Sequence, residues 1–159
     1  MKFIILILWI YTMFTKKIIS RANTGVYLIR YRLIPNNKYM NIYLHKFMAS
    51  DLDEALHDHP WASVGILLNG CYNEHVPQDY EKWLKGDRQT KVIKRRPFIP
   101  IYRHSTTIHR IELIDNQPIW TIFITGRWVR NWMFWCPQGP VPNEAFLTKD
   151  GNSVGKGCS

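Results

Sequence analysis

The segment His57-Asp58-His59-Pro60-Trp61 decides how this chain is read. Residues two apart in an extended chain point to the same face, so His57 and His59 can present two imidazoles to one ion while Asp58 points away. Pro60 stiffens the exit, and Trp61 opens an apolar run. The motif is short and describes two surface or core histidines equally well, so its weight comes from its surroundings. A further histidine, His109, lies in another β-like run and is followed by Arg110-Ile111-Glu112.

From Gly25 onward, short runs rich in β-branched and aromatic residues are broken by Pro, Asn, Gly and Asp, the pattern of an all-β sandwich or barrel. The runs predict strands over residues 26–34, 41–47, 61–68, 71–76, 92–95, 98–103, 108–113, 120–125 and 132–135. Asn69-Gly70 reads as the type I′ turn of a hairpin between two of these runs. Asp115-Asn116-Gln117-Pro118 reads as a second reversal that pairs the His109 strand with the Trp120 strand. Residues 50–56 suggest a short helical turn, with Ser50 as cap and Asp51, Asp53 and Glu54 near its positive end. The polar stretch 77–89 is either a loop over a barrel mouth or an exposed excursion.

A chain of 159 residues is one domain, and 46% hydrophobic with 14% aromatic residues excludes disorder. The net charge of +9 comes from 21 basic against 12 acidic residues. The basic residues are scattered and carry no RNA-binding or zinc-finger pattern, so a solvated basic surface without specific nucleic-acid binding is expected. Only the Lys94-Arg95-Arg96 run suggests a local anion contact. Cys71, Cys136 and Cys158 are far apart and lack a C-x-x-C spacing. That argues against a disulfide framework or a cysteine zinc site and favours a cytoplasmic protein.

Residues 3–14 are mostly apolar but fall short of the roughly 20 needed to cross a bilayer, and no small-residue cleavage site follows. They read as an extension ahead of a start at Met13, as a packed or interfacial helix, or as a signal or anchor. The expected organisation is an apolar extension with a short helix over 1–24, a barrel over 25–148 and a flexible glycine-rich tail over 149–159.

With these residues in place the chain resembles the cupin superfamily. That resemblance implies a double-stranded β-helix, or jelly roll, in which His57, His59 and His109 converge on a divalent metal. The superfamily's usual glutamate would fall on Ser63 or Val64, and neither can replace it. The chain therefore resembles the three-histidine subset of cupins, which includes thiol dioxygenases. Glu74 is a candidate fourth ligand, with substrate-binding and solvent-facing roles as alternatives. Across residues 26–142, blocks such as residues 43–47, 50–61 and 120–126 resemble a group of bacterial and phage-associated cupin-like proteins. The resemblance implies a fold and a metal site rather than a reaction.

Three neutral histidines leave about three exchangeable positions on a metal, which suits Fe(II) binding substrate and O₂ together, with Zn, Ni or Mn as alternatives. A dioxygenase-like enzyme and a non-catalytic module that binds a small ligand around a structural or orienting metal are both expected readings. Arg127 and Arg130 could fork an anionic small-molecule substrate, with surface ion pairs as the alternative. Tyr72 could donate a hydrogen bond to a ligand or simply pack. His45 and His104 are further histidines that could approach the site, and a homodimer fits the association habits of cupins.

Overall fold

A computed structural model describes residues 15–21, 25–51, 55–148 and 156–158. Period-two burial drives its construction. In β3 (Asn41–Phe47), Tyr43, His45 and Phe47 are buried while their neighbours are not. In β5 (Ser63–Leu67), Ser63, Gly65 and Leu67 face inward. The other strands are β1 (Lys16–Arg21), β2 (Gly25–Arg32), β4 (Leu56–His57), β6 (Tyr72–Pro77), β7 (Thr90–Arg95) and β8 (Pro100–Arg103). They are followed by β9 (Arg110–Leu113), β10 (Ile119–Thr125), β11 (Met133–Cys136) and β12 (Gly139–Pro142). Two short helices, α1 (Tyr80–Leu84) and α2 (Asn143–Phe146), interrupt the series.

One face is a six-stranded sheet in the order β1-β2-β3-β10-β5-β8. Two three-stranded sheets, β12-β11-β4 and β7-β6-β9, form the other. A single antiparallel bridge between His57 and His109 joins them edge to edge, giving the order β12-β11-β4-β9-β6-β7. The result is an all-β jelly roll. Its main core takes Leu28, Phe47, Leu67 and Ile119 from the first face and Tyr72, Ile111 and Leu113 from the second.

The strand pattern needs three additions and two corrections. Lys16–Arg21 is a strand paired with β2, so the sheet begins upstream of Gly25, inside the stretch expected to be an extension. The helix expected nearer the N-terminus lies outside the described residues. Leu56–His57 and Gly139–Pro142 also form strands, each too short or too proline-rich to announce itself. Asn69-Gly70 is not a hairpin turn, because β5 and β6 belong to different sheets. A type I′ turn needs two positive φ angles, and only Gly70 has one, at 69°. The Asn69 side chain instead accepts a hydrogen bond from the Trp120 amide at 2.7 Å, turning the chain from one face to the other. Asp115 and Asn116, both at φ 52°, make a second crossover of the same kind, so the His109 and Trp120 segments do not pair.

Residues 77–89 are ordered around α1, which Asp79 caps through the Lys82 amide and which Trp83, 2% exposed, anchors against Leu56 and Ile108. Of the helical turn expected over 50–56, residues 52–54 lie outside the described residues. Ser50 Oγ accepts from the Leu113 amide and Asp51 Oδ2 from the Ile111 amide, tying this segment to β9. Cys136 and Cys158 form a disulfide, which fixes the C-terminal segment behind β11. Their spacing of 22 gave no sign of it, because the bond joins two segments that only the fold brings together. The expectation of unpaired cysteines is thus corrected for Cys136 and Cys158, while Cys71 is a free thiol. No helix among the described residues is long and apolar enough to cross a membrane.

Candidate metal centre

The bridge that joins the two small sheets also builds the site. His57 and His109 exchange both backbone hydrogen bonds, each at 2.9 Å, so their Cβ atoms stand side by side. His59 follows two residues after His57, its amide bonded to the Ser105 carbonyl at 3.3 Å. Asp58 turns the opposite way and is 1% exposed. It accepts from the Met133 amide at 2.8 Å and the Trp135 indole at 3.3 Å, and it pairs with Arg130 at 2.7 Å. The period-two geometry thus separates two inward imidazoles from one structural carboxylate.

A nitrogen of each of His57, His59 and His109 lies within 4.8 Å of the others. Nε2 of His59 and Nε2 of His109 are 3.0 Å apart, about the ligand-to-ligand spacing around an ion held at roughly 2.1 Å. Burial lowers the pKa of His57 to about 4 and pushes that of His59 well below the usual imidazole value. Both rings are therefore neutral at physiological pH, with lone pairs available, and the donor set fits a divalent cation.

Glu74 is 1% exposed but is not a fourth member of this group. Its Oε1 lies 2.9 Å from His109 Nδ1, a contact short of hydrogen-bond geometry. The same oxygen accepts from Arg103 Nε at 2.7 Å, and Oε2 accepts from Arg95 Nε at 2.5 Å. Burial raises the pKa of Glu74, but His109, Arg103 and Arg95 together outweigh it and hold the carboxyl well below the usual range. A carboxylate this close to Nδ1 favours the tautomer whose Nε2 lone pair faces His59. Tyr72 lies beside it, its hydroxyl accepting from Arg103 Nη2 at 3.0 Å.

The histidines open into a cavity of about 370 Å³. Tyr72 and Arg103 line it, as do Trp61, Trp132 and Phe134, with the Trp61 ring stacked at 6.4 Å on His59. Neither predicted arginine does. Arg130 is committed to Asp58 and the Ser105 carbonyl, and Arg127 lines a separate surface groove with Tyr39 and Trp128. Both sit in the loop after β10, which leaves the barrel instead of entering it. His104 is exposed and bonded to Thr106. His45 does reach the cavity but is not grouped with the three histidines, and its Nε2 accepts from Arg30. Of the Lys94-Arg95-Arg96 run expected to make a local anion contact, Arg95 meets the Glu74 carboxylate; the inward roles of Arg30 and Arg103 were not anticipated. The available signal was a charged residue at an inward-facing phase of a strand, as with Arg103 two residues after buried Ile101.

No family model matches the chain, and no curated protein matches it. Solved structures do. The iron(II) form of HppE superposes with a TM-score of 0.53 at 12% identity, covering 70% of this chain and 56% of that one. Hydroxypropylphosphonic acid epoxidase from S. wedmorenis gives 0.50 at 12%, covering 69% and 55%. A variant of oxalate decarboxylase from Bacillus subtilis gives 0.50 at 9%, covering 72% and 28%. This chain thus spans little more than half the length of the first two and about a quarter of the third. At such identities the likeness is one of fold, and the fold is the cupin-type jelly roll.

Proposed function

We propose that the protein is a metal-dependent enzyme of the non-haem iron type, with His57, His59 and His109 as ligands to one iron(II) ion and a small anionic molecule as substrate. The observation that supports this best is the convergence of three imidazoles, at least two of them held neutral, at the wall of a cavity of about 370 Å³. The iron(II) named for HppE makes that ion the first to load, ahead of zinc, nickel or manganese. When bound, it supplies a Lewis-acidic, redox-active centre.

The chain's own residues do the rest. Glu74, itself fixed by Arg95 and Arg103, holds the His109 ring in its ligating orientation. Burial raises the pKa of Tyr72, so its hydroxyl stays protonated. It accepts from Arg103 and offers its own proton to an oxygen of the substrate. Trp61, Trp132 and Phe134 keep bulk water from the histidines.

The test is anaerobic iron(II) loading followed by oxygen consumption with a panel of small thiols, carboxylates and phosphonates. The reading expects about one iron per chain and consumption that the His109→Ala variant lacks. Retained iron with no consumption across the panel would turn the assignment to a non-catalytic module that binds a ligand.

A further inference from the structure

Strand register places four side chains in one row across the six-stranded sheet. Lys17 stands opposite Arg30, Arg30 opposite His45, and His45 opposite Thr121. All four line the cavity that the three histidines enter from the other face. The next row, two residues along, is Ile19, Leu28, Phe47 and Ile119. A polar, cationic row therefore lies beside an apolar one on this wall.

The cations of this cavity are unequally compensated. Arg21 has Asp51 and the Ser50 carbonyl, and Arg103 has Glu74 and Tyr72. Arg30 has no carboxylate among the described residues. Its Nε donates to His45 Nε2 at 3.0 Å, and its guanidinium lies 4.9 Å from the Tyr43 ring. Burial pushes the pKa of His45 well below the usual value, so the ring is a neutral acceptor and adds no charge. Burial also lowers the pKa of Arg30, yet a guanidinium remains charged at neutral pH. A partly buried cation without a counter-charge is costly unless a ligand supplies one. With Nε fixed on His45, the two terminal amino groups are left to grip an oxyanion, a geometry that guanidinium favours. Lys17 is exposed at the rim and adds charge along the approach.

We propose that Arg30 and Lys17 form the subsite for the carboxylate or phosphonate head group of the small molecule whose other end meets the metal. Only that last clause rests on the metal-dependent reading. His45 is a positioning residue, and the cavity of about 370 Å³ confines the ligand to a small metabolite.

The experiment is calorimetric titration of metal-free protein with acetate, with methylphosphonate and, as an uncharged control, with acetamide. At least one anion should bind saturably and acetamide should not, the stronger of the two anions identifying the head group. Arg30→Gln should weaken that binding at least about tenfold, Arg30→Lys less so, and Lys17→Gln about threefold. Should Arg30→Gln fail to unfold cooperatively, the exposed Lys17→Gln variant carries the comparison. Absence of saturable binding to the wild type overturns the proposal, as do variants that bind the anion as tightly as the wild type. Metal content is measured in parallel: Arg30→Gln should load metal like the wild type, so a wild type without metal contradicts the metal reading and leaves the anion result intact.

Discussion

His57, Asp58 and His59 show how much one residue of phase decides. The two histidines reach a cavity, and the residue between them reaches Met133, Trp135 and Arg130 on the opposite side. Arg130 is therefore structural. Its replacement by alanine should cost about 2 kcal/mol in urea unfolding, by leaving a buried carboxylate short of a partner, and should leave anion affinity unchanged. Glu74→Gln should lower metal affinity roughly 10–100-fold in a competition titration, because the ring of His109 loses the carboxylate that orients it. A third outcome concerns pH. Burial raises the pKa of Asp51, but the charge of His57, the Tyr27 hydroxyl and the Ile111 amide more than offset it, so its pKa lies below the ordinary 3.8. The unfolded chain then takes up the proton more readily. Stability from this group is present above the ordinary value and is lost as pH falls through the folded one. Stability measured from about pH 5 to about pH 2 should fall less steeply in Asp51→Asn than in the wild type.

At the scale of elements, the two turns carry the fold's topology. Asn69-Gly70 and Asp115-Asn116 each pass the chain between faces, and both looked like hairpin turns because turn composition reports a reversal without saying what the flanking strands pair with. Gly70 is needed twice, for its φ of 69° and because a Cβ there would come within 3.2 Å of Ile119 Cγ2. Gly70→Ala should cost about 1–2 kcal/mol by chemical denaturation, with metal binding retained. The strands themselves were legible wherever β-branched and aromatic residues run together, as in β3 and β10. β4 was not, since its two residues are a strand only through β11 and His109. Arg30 and Arg103 escaped notice for a related reason. A charge at an inward phase looks like an error in the pattern until the opposite wall supplies a reason for it.

At the scale of the whole molecule, the jelly roll brings together residues 50 apart, His59 and His109, and sets them across a cavity from the Arg30 row. The histidine motif and the fold class could be read from the sequence because they are local or repetitive. The orienting carboxylate, the anion wall and the disulfide could not, because each exists only between segments distant in the chain. The disulfide closes the C-terminal segment onto β11 and the Phe134–Phe146 stack. Cys158→Ser should lower stability by about 2–4 kcal/mol in thermal unfolding. The most direct test of the central claim is a crystal structure of the protein loaded with one divalent metal, recorded at that metal's absorption edge. A single anomalous peak about 2.0–2.2 Å from one nitrogen each of His57, His59 and His109 is the predicted result. A peak elsewhere, or three imidazoles with no ion between them at saturating metal, would contradict it.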